Sequence, residues 1–211
     1  MKTIFRTSAV LLFAILSASC NKAVVGDIKN DNLSTNDPPF QERIDENQSF
    51  VIKNRKGSFT IIPVADYSIT SKVVSVKSYS GKWESSLSPV DLALIWGDLV
   101  NKKVDSHIKY SQRGRWYYYR YSTGCPVDNS YIISHSSNNH IIPANSNLEL
   151  ALKQVRPGDI VKIEGALVRI KGNTERGNVF WNSSLRRDDT GGGSCEIIYA
   201  ETIRINKNLY R

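Results

Sequence analysis

Residues 146–170 read SNLELALKQVRPGDIVKIEGALVRI. Ser146-Asn147-Leu148-Glu149 has the spacing of a capping box, a hydroxyl at the helix start and a carboxylate three residues on. Leu148, Ala151, Leu152 and Val155 recur at helical intervals, and Arg156 falls in the last turn. Pro157-Gly158 then ends the helix. A strand follows. Between Asp159 and Ile170, Val161 and Ile163 share one face with Gly165, while Lys162 and Glu164 take the other. After Gly165 the alternation breaks. A mid-strand glycine with a change of phase marks a bulge or a sharp bend, and small closed sheets need such bends.

The chain on either side carries mostly β signals. Phe59–Val64 (FTIIPV) is a short apolar run closed by Pro63, and Tyr67–Val76 (YSITSKVVSV) is rich in β-branched residues. A turn is expected around Tyr79–Lys82. Ser88-Pro89-Val90-Asp91 has the form of a helix start, yet LALIWG after it fits a buried strand equally well. WYYYRY at 116–121 is a strand, and so is Cys195–Ile205, which follows the glycine turn Gly191-Gly192-Gly193. Many short strands with one short helix give a mainly β fold, a small, partly open β-barrel. The helix leading into a bent strand resembles an OB-like barrel; a β-sandwich is the alternative.

The chain has 211 residues, a hydrophobic fraction of 40% and a net charge of +8. That is one globular unit with an appendage, too apolar for wholesale disorder. No apolar run reaches the roughly 18 residues that span a bilayer. The opening MKTIFRTSAVLLFAILSASC has Lys2 and Arg6, an apolar run from Ala9 to Leu16, then small residues up to Cys20. This is the grammar of an export signal. Ending in Cys, it resembles the lipobox of bacterial lipoproteins. That implies a signal peptide over 1–19, a lipid on Cys20 and membrane attachment through it. A secreted protein without lipid, or a buried N-terminal helix, are the alternatives. Residues 20–48 are polar, with a Pro-Pro pair, and read as a flexible tether; 49–211 is then a single β-rich domain. The tether has more acids than bases, so the positive charge belongs to the domain, which favours anionic partners.

With Cys20 lipidated, Cys125 and Cys195 are an even remainder in an oxidising compartment and read first as a disulfide. A second reading makes Cys195 a nucleophile. It follows Gly191-Gly192-Gly193, whose backbone N–H groups can converge on an oxyanion. His140 and Asn138 lie in ISHSSNNHIIPAN, a polar loop by composition, and supply a base and its orienting group. A plain hairpin turn and a loop-bracing histidine explain the same residues without catalysis. A zinc site from His135, His140 and Cys195 is the weakest option, because no HxH, HExxH or CxxC spacing is present. No phosphate-cradling loop or GxSxG elbow occurs, and no metal or cofactor is expected. In the aromatic strand, Trp116, Tyr118 and Arg120 share a face next to Arg115. Rings beside cations stack on sugars or bases, or simply pack across strands.

Two patterns, Asn138-x-His140-x-Ile142-Pro143-Ala144 and Asp189-Thr190-Gly191-x-Gly193-x-Cys195-Glu196, together with Gly158-Asp159 and Trp181-Asn182-Ser183-Ser184-Leu185, resemble a family of uncharacterised bacterial exported or membrane-associated proteins. The resemblance covers roughly residues 58–205 and implies no activity. The resulting expectation is a lipid-anchored cell-envelope protein facing the periplasm or exterior. Asn21 after Cys20 points to the outer membrane. Its domain binds an anionic or glycan envelope component, or another envelope protein, without catalysis. The alternative is an envelope hydrolase or acyl-transfer enzyme using Cys195 and His140. Nucleic acid is not an expected partner of an exported chain.

Overall fold

The computed structural model describes residues 23–26, 33–46, 48–186, 188–189 and 191–211, so the signal stretch and Cys20 lie outside the described residues. Three strands open the folded part: β1 (Phe40–Arg43), β2 (Phe50–Asn54) and the long β3 (Gly57–Ser78). The two expected runs, Phe59–Val64 and Tyr67–Val76, are one strand. The register of β3 shifts between Pro63 and Ala65, where proline has no N–H to give.

Part of the expected tether belongs to the sheet. β1 pairs with β3 from Phe40↔Ser68 to Arg43↔Ala65, and Gly26 bridges to Leu209. Polar composition hid this, because an edge strand is held by backbone hydrogen bonds that any residue can make.

The chain then forms α1 (Trp83–Leu87), β4 (Val90–Ile95), a 3-10 turn at Gly97–Val100, α2 (Lys102–Asp105), and the hairpin β5 (Ile108–Arg113) and β6 (Trp116–Tyr121). It continues with α3 (Asn129–Ser134), β7 (Ser136–Pro143), α4 (Ser146–Leu152), β8 (Ile160–Thr174), β9 (Gly177–Asn182), β10 (Glu196–Ile205) and β11 (Asn208–Tyr210). LALIWG is therefore mostly strand, and every residue of β4 is buried. The expected helix is α4, capped by Asn145, whose side chain accepts from the Leu148 N–H, one residue ahead of the expected Ser146. Helices α1, α2 and α3 are additions to the single helix expected. Each is four to six residues long, too short to leave a periodic pattern.

The mainly β sheet closes on itself. β3 pairs with β4 on one edge and β8 on the other, giving the ring β3-β4-β7-β10-β8-β3. Neighbours are antiparallel except β7 and β10, which are parallel, and α4 joins β7 to β8. The mainly β fold is as expected, with its strands arranged in a ring. Gly165 makes the bend: the β8–β10 register shifts between Ala200 and Thr202, opposite Gly165 and Glu164. Gly165 has φ +157°, and a Cβ there would strike the Tyr199 carbonyl oxygen.

Alternation sorts the ring into two faces. Val90, Leu92 and Leu94 of β4 join Ile141, Ile163, Ile198 and the α4 residues Leu148 and Leu152 inside. Ile142 of β7 and Ile197 of β10 face outward, against Phe59, Ile61 and Val168, under Trp83 and Trp181. A third cluster, Ile95, Leu99, Val104, Ile108 and Ile132, lies under the β5–β6 hairpin. Each large aliphatic side chain so buried contributes roughly 1.5–3 kcal/mol. The site lies on the outer face, between these two outer clusters.

Candidate functional site

The segment expected as a polar loop is strand β7, paired on both edges and buried from Ser136 to Ile142. Five consecutive polar side chains are thus out of water and must find partners. Ser136 Oγ donates to the Ile132 carbonyl at 2.6 Å. Asn139 points into the ring and donates to Ser137 Oγ at 2.8 Å. Asn138 and His140 point outward, to the site.

Three strands meet there. Asp91 of β4 is opposite His140 in register. Its carboxylate is wholly buried, and Oδ1 lies 2.7 Å from Arg115 Nη1 and 2.9 Å from His140 Nδ1. The first contact is a hydrogen bond; the second is close but not aligned as one. Arg115 Nη2 donates to the Ser88 carbonyl at 2.8 Å. The guanidinium lies 4.4 Å from the Tyr79 ring and 5.3 Å from the Trp181 ring, within cation–π range. The His140 ring is 4.8 Å from that of Trp181. Burial, ahead of the Arg115 N–H that it accepts, holds the Tyr79 hydroxyl above its ordinary pKa.

Arg115 occupies the two-residue turn of the hairpin. Gly114 and Arg115 have φ +60° and +67°, the signature of a type I′ turn. For arginine that conformation costs about 1 kcal/mol, and it persists because the side chain is fixed from every side. The expected binding set is therefore split. Trp116, Tyr118 and Arg120 do share an exposed face of β6, but Arg115 points inward, its charge matched by Asp91.

The structure brings Cys195 to Asn138 rather than to His140. Asn138 Nδ2 lies 3.4 Å from Cys195 Sγ and also donates to the Arg115 carbonyl at 3.0 Å, while its Oδ1 accepts from Gln112 at 2.7 Å. Burial pushes the Cys195 thiol up to about 11, and the charges of Glu196, Asp91 and Asp189 add to this against the Asn138 bond. A thiol in that state is a poor nucleophile at neutral pH. The expected Cys125–Cys195 disulfide is absent: both are free thiols. Cys125 packs on the Ile95–Leu99–Ile132 cluster, whereas Cys195 sits at the start of β10 beside Asn138, so the even count misled. Among the described residues no group of His, Cys, Asp or Glu is arranged to hold a metal, and no helix is long and apolar enough to cross a membrane. His135 stacks on Tyr131 at 3.8 Å and His107 contacts Ser122 at 2.7 Å, both apart from His140.

The cluster opens on a cleft of about 380 Å³ walled by Trp83, Trp116, Phe180, Trp181, His140 and Cys195, with Gly191 and Gly193 at its lip. Phe180 is 67% exposed and Trp116 45%. Trp83 meets Trp181 edge-on at 5.8 Å and stacks on Phe59 at 5.6 Å, so the rings are braced on the core. Asp91, Tyr79, Trp83, Phe180 and Trp181 were missed as site residues. Only Asp91 left a signal, a lone carboxylate inside the apolar run Val90–Trp96. No family profile, no curated protein and no solved structure matches the chain.

Proposed function

We propose that the chain is a lipid-anchored bacterial cell-envelope protein, held through Cys20, whose β domain binds a glycan component of the envelope without turning it over. One observation carries the reading. Trp83, Trp116, Phe180 and Trp181 line one cleft on the outer face of the ring, beside the buried Asp91–Arg115 pair. Braced ring faces with little rotamer freedom suit the flat apolar faces of sugar rings. OB-like barrels also take oligosaccharides and oligonucleotides on one outer sheet face, a support by analogy alone.

A second reading keeps the hydrolase or acyl transferase. His140 and Cys195 line the same cleft, and Asp91 stands at His140 Nδ1, as an orienting carboxylate would. The raised thiol and its Asn138 partner weigh against it. Printed arrays of bacterial envelope oligosaccharides, with single-stranded DNA on the same slide, separate the readings. Saturable retention on glycans, lost in Trp181→Ala, supports binding. Turnover of a glycan ester that vanishes in Cys195→Ala supports the enzyme, and retention on DNA alone refutes both.

A further inference from the structure

A second depression, about 560 Å³, is walled by Arg55, Lys56, Lys82, Glu84, Glu175 and Arg176, with Trp83 at one side. It lies where the β2–β3 turn, the β8–β9 turn and the loop before α1 converge. Trp83 and Glu84 also wall the aromatic cleft, so the two depressions adjoin across a shared wall. Their chemistry differs. Among the described residues the aromatic cleft has one cation, Arg115, and Asp91 already holds it. The second depression has Arg55, Lys56, Lys82 and Arg176, and none of these is in an ion pair with a described residue. Four unmatched cations face two carboxylates, Glu84 and Glu175.

We infer that this groove reads the acidic groups of an extended ligand, an acidic oligosaccharide whose rings lie in the Trp83–Trp181 cleft and whose carboxylates reach Arg55, Lys56, Lys82 and Arg176. The inference rests on the glycan reading of the cleft and names the class of glycan. One feature favours this ligand over a polyphosphate. Glu175 stands among the cations and repels a closely spaced run of phosphates, while alternating acid and hydroxyl groups suit a groove of mixed sign. Each depression falls in the range that holds a small ligand, so a ligand that fills both is a chain rather than one sugar.

The test uses the full chain and hyaluronan fragments, a disaccharide, a tetrasaccharide and an octasaccharide, titrated calorimetrically at low and physiological salt. Neutral chitin fragments and a single-stranded DNA of equal charge serve as comparisons. The octasaccharide is expected to bind at least about tenfold more tightly than the disaccharide, because the second contact is intramolecular once the first is made. That gain falls with salt. Lys56→Glu with Arg176→Glu, both exposed positions, should erase the gain and leave disaccharide and chitin binding within about twofold of wild type. Affinity independent of length, or a gain that survives the double substitution, overturns the groove assignment while leaving the cleft intact. No binding at any length, with Trp181→Ala indistinguishable from wild type, overturns the cleft reading too. DNA binding tighter than the octasaccharide overturns the choice of ligand class.

Discussion

Asp91 and Arg115 meet at 2.7 Å with the carboxylate wholly out of water, joining the ring strand β4 to the tip of the β5–β6 hairpin. Arg115 also donates from Nη2 to the Ser88 carbonyl at 2.8 Å, so both arms of its guanidinium tie the turn to that face. The pair therefore decides where Trp116 sits, and with it one wall of the cleft.

Removing one partner leaves a buried charge alone. Asp91→Ala is expected to cost about 3 kcal/mol of stability, read from the denaturant midpoint. Arg115→Lys should fare poorly as well, since one ammonium cannot reproduce the forked bonds to Asp91 and the Ser88 carbonyl. Replacing both with apolar residues, Asp91→Leu with Arg115→Met, should cost less than Asp91→Ala alone. Equal losses in the single and double variants would contradict a coupled pair.

Cys195 should be slow to alkylate at neutral pH. Its pKa is raised from 9.0 to about 11 in the folded chain, so folding favours the neutral thiol. The stability linked to it is fully present below about pH 9 and is lost as pH rises through about 11. Comparing wild type with Cys195→Ala between pH 8 and 11, the wild type should lose more stability over that interval. Fast iodoacetamide labelling of native protein at pH 7 would refute the assignment.

Gly165→Ala tests the bend. The new Cβ would meet the Tyr199 carbonyl oxygen at a backbone angle that L-residues avoid, so a loss of about 3 kcal/mol is expected. Gly81→Ala, also at positive φ but with open space around it, should cost about 1 kcal/mol. Thermal denaturation of the two variants gives the contrast.

Gly165 also shows what the sequence makes legible. A broken alternation around one glycine predicted the bend, and the helix before it followed from Leu148, Ala151 and Leu152, although it ends at Leu152, ahead of the expected Pro157-Gly158 stop. WYYYRY and the last strand were equally plain. The site was less so. Ser136–His140 reads as a loop because polar side chains rarely fill a central strand. Their partners, Asp91, Gln112 and the Ile132 carbonyl, come from separate elements whose meeting depends on ring closure. Arg115 was grouped with the binding residues of the aromatic strand, but it sits in the turn, where its side chain swings to Asp91. Trp181 and Trp83 carry no local pattern, since their role depends on two hairpins converging.

His140 should tolerate Gln better than Phe. Glutamine keeps a donor near Asp91, whereas phenylalanine sets an apolar ring against a buried carboxylate. The His140→Gln variant is expected to retain glycan binding if His140 only braces the cleft. Loss of turnover with binding intact would instead move the account toward the enzyme.

Intrinsic tryptophan fluorescence during titration with hyaluronan octasaccharide reads whether sugar rings enter the proposed Trp83–Trp181 site. A saturable change is expected, which Trp181→Phe and Trp116→Phe each reduce, with the circular dichroism of the β domain unaltered. A spectrum that stays constant to millimolar oligosaccharide, in protein whose fold is intact, would contradict it.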